Sequence, residues 1–170
     1  EICQQIVDKI VKQYGGLDLV VNNAYPAIDY VNFLDLDFEQ FQRAVITPLK
    51  MSYEISQAVI KELQNRQGMM ITISSIYAQT PESGFSGYSS AKNAVEGLTR
   101  SLEFPEVRQV IYRPSKFLSD RTITNFSQTH LQDPLEVVKN LWIGLDRLRS
   151  QNINPLILDE SSVDEFTQSL

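Results

Sequence analysis

Met69-Met70-Ile71-Thr72-Ile73-Ser74 is an uncharged, largely apolar run that follows Gly68 and opens into a Ser-, Gly- and Pro-containing stretch from Ser75 to Phe85. It is too short for a helix and carries apolar residues toward both faces, which fits a strand buried between two layers. On its amino side, Asp37 caps a long helical pattern built on Phe38, Phe41, Val45, Leu49, Ile55, Ala58, Val59 and Leu63. On its carboxyl side, a second helix is predicted from about Ser86 to Leu102, with Ala91, Val95, Leu98 and Leu102 on one face. A helix, a doubly buried strand and another helix form the repeating unit of a parallel sheet, because parallel neighbours need a long crossover.

The pattern extends in both directions. Glu1 to Tyr14 is in helical period, with Ile2, Ile6, Val7, Ile10 and Val11 as its apolar stripe, and Gly15-Gly16 stops it. Leu17 to Asn22 reads as a first buried strand, followed by an irregular loop over 24–36. Pro48, inside the long helix, is expected to kink it or split it near Thr47, since it removes a backbone donor. Gln109 to Tyr112 is a third strand stopped by Pro114, Asp133-Pro134 opens an amphipathic helix running to about Ser150, and Pro155 to Leu158 is a last short strand. The alternation predicts an α/β fold: one domain over residues 1–170, with a parallel sheet covered by helices on both faces.

Composition narrows the function classes. The 170 residues are 42% hydrophobic and 21% charged, enough for one ordinary core. One cysteine, Cys3, and one histidine, His130, leave no internal disulfide and no basis for a structural zinc site. Cys3 is expected to pack inside the first helix and His130 to be solvated. A net charge of -6 argues against a phosphate-backbone footprint, so no nucleic-acid partner is expected. No apolar run reaches the roughly 18 residues of a membrane span and no basic-then-apolar leader is present, so the expectation is a soluble, cytoplasmic chain without a membrane partner. The chain opens on Glu1 in mid-pattern without a cap, as a fragment would.

Ligands of open α/β sheets bind beyond the carboxyl ends of the strands, so Asn22-Asn23-Ala24, Ser74-Ser75 and Pro114-Ser115 are expected to line one crevice. Beside it, Tyr88 and Lys92 stand four apart at a helix start and share a face. A lysine ammonium beside a phenol favours phenolate and lowers the tyrosine pKa from about 10, which suits proton exchange with a carbonyl or alcohol oxygen. Ser75 is placed to hydrogen-bond the same oxygen. Taken singly, a Tyr/Lys pair four apart is most often surface packing and a serine ending a strand is most often a turn residue; their convergence sets them apart.

With these residues the chain resembles the short-chain dehydrogenase/reductase family. Tyr88-Ser89-Ser90-Ala91-Lys92 fits its Tyr-x-x-x-Lys motif, Ser75 lies thirteen residues before Tyr88, and Asn22-Asn23-Ala24-Tyr25 is similar to its Asn-Asn-Ala-Gly strand end. Arg113-Pro114-Ser115 sits where that family has Pro-Gly, and Ser119 where a Thr contacts the nicotinamide carboxamide. The resemblance implies a three-layer Rossmann-like sheet of which this chain is the carboxyl-terminal portion, strands four to seven. It implies Tyr88 as general acid/base, Lys92 lowering its pKa and holding the nicotinamide ribose, and Ser75 orienting the substrate carbonyl. It further implies NAD or NADP as cofactor, with Asn22, Asn23, Ala24, Tyr88, Lys92, Pro114, Ser115 and Ser119 around it, a small carbonyl or alcohol substrate, and a homo-dimer or homo-tetramer.

The chain also departs from that family. The Gly-x-x-x-Gly-x-Gly turn that cradles the pyrophosphate is absent from these 170 residues, so the chain alone is expected to bind NAD(P) weakly. Thr47-Pro48 stands where the family has a catalytic Asn, Tyr25 and Ser115 each stand where it has a glycine, and Asp159-Glu160-Ser161 replaces a glycine pair. Three readings therefore stay open: a reductase, a pseudoenzyme retaining the fold for association, and a cofactor-independent lyase of the halohydrin dehalogenase kind, which Lys92 in place of Arg disfavours. Phe33, Phe38 and Phe41 are expected to pack as core or helix entry. Tyr112, Phe117, Phe126 and Trp142 are expected either to pack or to wall a substrate pocket.

Overall fold

A computed structural model describes residues 2–26, 30–117, 131–147 and 153–159. Among the described residues, helices and strands alternate: α1 (Ile2–Tyr14), β1 (Leu19–Asn22), α2 (Phe38–Arg66), β2 (Met69–Ile73), α3 (Ser86–Ser101), β3 (Arg108–Arg113), α4 (Pro134–Arg147) and β4 (Leu156–Asp159). The four strands lie in the order β1-β2-β3-β4, all parallel. Each step to the neighbouring strand is thus made through a helix, as the sequence alternation requires.

Side-chain alternation along the strands separates two cores. Met70 of β2 joins Val7 of α1, Ala58, Val59 and Leu63 of α2, and Val107 on one face. Ile71 of β2, Val110 and Tyr112 of β3, and Leu156 and Leu158 of β4 meet Val137, Leu141 and Leu145 of α4 on the other. The result is the three-layer arrangement expected of a doubly buried sheet. Cys3 packs against the first of these cores, as expected. Tyr112 is a packing residue, 2% exposed, whose hydroxyl donates to the Val137 carbonyl at 2.9 Å, and Phe117 packs against the same cluster.

Of the kink or split expected near Thr47, the split does not occur: the 29 residues of α2 run unbroken through Pro48. The proline forfeits only the bond to the Ala44 carbonyl. The turns on either side are held by a capping box at Asp37 and Gln40 and by burial of Ser52, Ser56, Ala58, Val59 and Leu63. Phe33 and Phe38 are not core residues. They are 71% and 76% exposed and lie at the entry to α2, where Phe38 makes a tilted ring contact with the part-buried Phe41. Trp142, on the outer side of α4, is 52% exposed. Phe126, Ser119 and His130 lie outside the described residues.

The contrast between Leu63, 0% exposed, and Leu34, 95% exposed, gives a direct test of the packing. Leu63→Ala is expected to lower unfolding stability by about 2–5 kcal/mol, while Leu34→Ala stays within about 0.5 kcal/mol of the parent, as read from urea denaturation midpoints at constant slope.

Candidate active site

The strand register places the predicted site residues at one edge of the sheet. Asn22 pairs with Thr72, Ile73 with Tyr112, and Arg113 with Asp159, so β1 to β4 end side by side. Beyond those ends the chain stays tied. Ser74 N–H donates to the Tyr112 carbonyl at 2.7 Å and Ile76 N–H to the Pro114 carbonyl at 3.1 Å, which brings Ser75 and Pro114 together. Asn22 is half-buried and Ser115 part-buried there, while Asn23 and Ala24 are exposed.

Helix α3 delivers the other groups. Its first turn lies close against α2: a Cβ on Gly87 would stand 2.9 Å from the Ala44 Cβ, so the residue before Tyr88 has no room for a side chain unless a neighbour shifts. Lys92, one turn on from Tyr88, is 5% exposed and donates from Nζ to the Ile73 carbonyl at 2.8 Å. The same Nζ lies 5.6 Å from the centre of the Tyr88 ring and 4.5 Å from that of Tyr25. Tyr25 and Tyr88 meet edge to face, with centroids 5.2 Å apart and planes at 74°. Ser75, also buried, accepts from the Tyr77 amide at 3.2 Å and so starts the short helical turn Ile76–Ala78. The Tyr77 ring is set edgewise against Tyr88 with centroids 6.1 Å apart. Tyr88, Lys92 and Tyr25 are in mutual contact, and Ser75 joins them through Tyr77 and the end of β2.

Several residues of this neighbourhood have no counterpart among those singled out in the sequence. Tyr77 and Phe85 stack with centroids 5.1 Å apart beneath Tyr88. Tyr77 donates its hydroxyl to Glu82 at 2.8 Å, and Lys116 reaches the same carboxylate at 3.2 Å. Burial pushes the Tyr77 phenol up from its ordinary value, and the hydrogen bond from that phenol pulls the Glu82 carboxyl down. Glu96 was not singled out either, although the sequence holds a signal for it: Tyr88, Lys92 and Glu96 are spaced by four and form one helical stripe toward the strand ends. Its side chain is 1% exposed and accepts from Ser74 Oγ at 2.6 Å, from Arg113 Nε and Nη2 at 2.8 and 2.7 Å, and from Arg100 at 2.6 Å. Burial works to raise the Glu96 carboxyl, but the hydrogen bonds from Arg113 and Ser74 and the two guanidinium charges outweigh it and hold it below the ordinary carboxylate range.

A cleft of about 290 Å³ opens beside this cluster, walled by Tyr25, Pro26, Val31, Leu36, Ala44 and the first turn of α3 including Tyr88. Gln40, Arg43 and Thr47 of α2 and Gly84 also line it, and Arg43 is the lining residue that carries a formal charge. Its size suits a small molecule, with apolar walls and a few polar groups. Among the described residues, no helix is long and apolar enough to cross a membrane and no group of three or more His, Cys, Asp or Glu could hold a metal ion.

A family model described as short chain dehydrogenase matches residues 1–112. The chain belongs to the short-chain dehydrogenase/reductase family. It is 30% identical over 107 residues to the uncharacterized oxidoreductase YohF of Escherichia coli, covering 62% of this chain and 42% of that protein. It is 32% identical over 100 residues to human dehydrogenase/reductase SDR family member 4, covering 58% of this chain and 36% of that one. The chain therefore spans less than half the length of these curated relatives. The fold matches that of an archaeal alcohol dehydrogenase from Thermococcus sibiricus, solved with 5-hydroxy-NADP, at a TM-score of 0.77 and 20% identity over 92% of this chain and 68% of that one. In this family frame the four strands are the Rossmann-like parallel sheet expected from the sequence.

The Glu96 carboxylate gives a pH test with a definite sign. Its folded-state pKa is depressed, so the stability it contributes is complete above the unfolded carboxylate value of about 4.3 and is lost as pH falls through the lower folded value. Glu96→Gln is expected to cost about 3–5 kcal/mol near pH 7, because it leaves the buried Arg113 guanidinium without its counter-charge. Melting temperatures from pH 7 to pH 3 are expected to converge, the parent falling toward the variant at the acid end.

Proposed function

We propose that the protein is an oxidoreductase that exchanges hydride between a nicotinamide cofactor and a small carbonyl or alcohol compound, with Tyr88 as its general acid/base. The observation that carries this reading is the buried Lys92 ammonium, fixed on the Ile73 carbonyl and 5.6 Å from the Tyr88 ring. A positive charge at that place favours the phenolate, so Tyr88 gives a proton to a carbonyl oxygen in reduction and takes one from an alcohol in oxidation. Ser75, whose hydroxyl accepts one hydrogen bond from the Tyr77 amide, keeps its own proton as a donor toward the same oxygen. Substrate would enter by the cleft beside Tyr88, its apolar body against Val31, Leu36 and Ala44.

The residues at the strand ends suit the nicotinamide end of NAD or NADP. The Asn22 carboxamide, the Lys92 ammonium and the Tyr88 phenol are groups that bind sugar hydroxyls, and Pro114 and Ser115 border the same edge. When bound, the cofactor supplies or accepts the hydride. This chain's residues hold the oxygen, move its proton and shield it with the Tyr25, Tyr77 and Phe85 rings. Support for this class of cofactor comes from family membership and from the 5-hydroxy-NADP complex of the archaeal fold relative.

The test is Tyr88→Phe, assayed against a panel of aldehydes and ketones with NADH and with NADPH. Loss of the proton donor is expected to lower kcat by about 10²–10⁴-fold with the melting temperature preserved. Unchanged turnover in the variant would remove Tyr88 from the role.

A further inference from the structure

Tyr25 stands three residues past the end of β1, where the sequence resemblance leads one to expect a glycine. Its ring is closer to the Lys92 ammonium than that of Tyr88 is, 4.5 against 5.6 Å. A cation at this distance from an aromatic centroid is attracted by the ring's negative face, and the attraction grows when both groups are withdrawn from water. Lys92 is 5% exposed and Tyr25 is part-buried, so the condition holds. The same ring meets Tyr88 at 74°, the edge-to-face arrangement that aromatic pairs favour. One side chain from the β1 loop thus touches both the phenol and the ammonium of α3. A flexible four-carbon stem that donates to the Ile73 carbonyl gains a further restraint from that contact.

We propose that Tyr25 is a positioning residue whose ring face holds the Lys92 ammonium beside the Tyr88 phenol. This rests on the reading of Tyr88 and Lys92 as the reacting pair. The role belongs to the ring and not to its hydroxyl, so phenylalanine serves in its place and an aliphatic side chain does not. Of the other charged groups of the neighbourhood, Arg43 of α2 lines the cleft with Tyr25 and Tyr88, and Glu96 on the next turn of α3 is bound to Arg113 at the end of β3 through two hydrogen bonds and to Arg100; none of them is altered by the substitutions at Tyr25. Glu82 and Lys116, beyond Tyr77, likewise pair with each other.

The experiment reads Lys92 directly. Native protein and the variants Tyr25→Phe, Tyr25→Leu and Tyr25→Trp are treated with an amine-selective acylating reagent across a pH series, and modification of Lys92 is quantified by mass spectrometry. Removing the ring lowers the stability of the ammonium, so Tyr25→Leu is expected to expose neutral amine at lower pH and to react roughly three- to thirtyfold faster at fixed pH. Tyr25→Phe is expected to match the native rate within about twofold, and Tyr25→Trp to react no faster than native, since the indole face holds a cation best. In turnover, Tyr25→Leu is expected to lose kcat by a comparable factor, with its alkaline optimum moved to higher pH and rescue by Phe. Labelling of Tyr25→Leu at the native rate would overturn the proposal, and so would a Tyr25→Phe protein that behaves like Tyr25→Leu. These outcomes are separate from failure of the reductase reading: a labelling shift with turnover insensitive to Tyr88→Phe would reject the catalytic role of Tyr88 while leaving the contact between Tyr25 and Lys92 in place.

Discussion

The bidentate pairing of Glu96 with Arg113 fixes where everything else at the site can be. It joins the middle of α3 to the last residue of β3, and Ser74 at the end of β2 donates into the same carboxylate. Three elements that are distant in sequence are thereby held in one relative orientation by a carboxylate 1% exposed to water. A buried ion pair of this kind is not a large net source of stability, because desolvation of both ions offsets most of the attraction. Its consequence is geometric. Arg100, on α3 itself, also reaches that carboxylate, but a shift of α3 along the sheet would part it from Arg113 and Ser74 and leave the buried Arg113 without its hydrogen-bonded partner.

From that anchor the position of Lys92 follows. It lies one turn before Glu96 on the same helical face, so its side chain reaches the end of β2, where the Ile73 carbonyl has no further strand residue to pair with and accepts the ammonium. Tyr88 lies one further turn toward the start of the helix and comes to the rim of the cleft. The spacing by four thus produces a graded stripe: a fully buried carboxylate, a buried ammonium and a part-buried phenol at the opening. The polar chemistry is accessible at one end and locked at the other.

Much of this was legible in the residues themselves. The parallel order, the two-sided burial of β2 and the convergence of Asn22, Ser75, Tyr88, Lys92 and Pro114 all follow from periodicity and from where strands end. What escaped has physical causes. Pro48 reads as a kink or a split because propensity counts the lost hydrogen bond, whereas the packing of α2 against α1 and α3 keeps the helix continuous through it. Phe33 and Phe38 read as core or helix entry because they are large and apolar; they fall at the entry to α2, outside both clusters that the sheet alternation defines. The contact of Tyr25 with Lys92 depends on the path of the loop after β1, which no periodic signal encodes. Its one trace was the presence of an aromatic residue where a glycine was expected.

The two halves of the site therefore differ in how they are held. Ser75, Lys92 and Tyr88 are positioned by contacts internal to β2, α3 and β3: the Ile73 carbonyl, the Glu96 carboxylate and the amide bonds to Tyr112 and Pro114. Tyr25 and Asn22 come from β1 and its loop, and the Tyr25 ring crosses from there to the Lys92 ammonium and the Tyr88 ring. A ring carried on one half and laid across a pair anchored in the other makes the geometry of that pair depend on the path of the β1 loop.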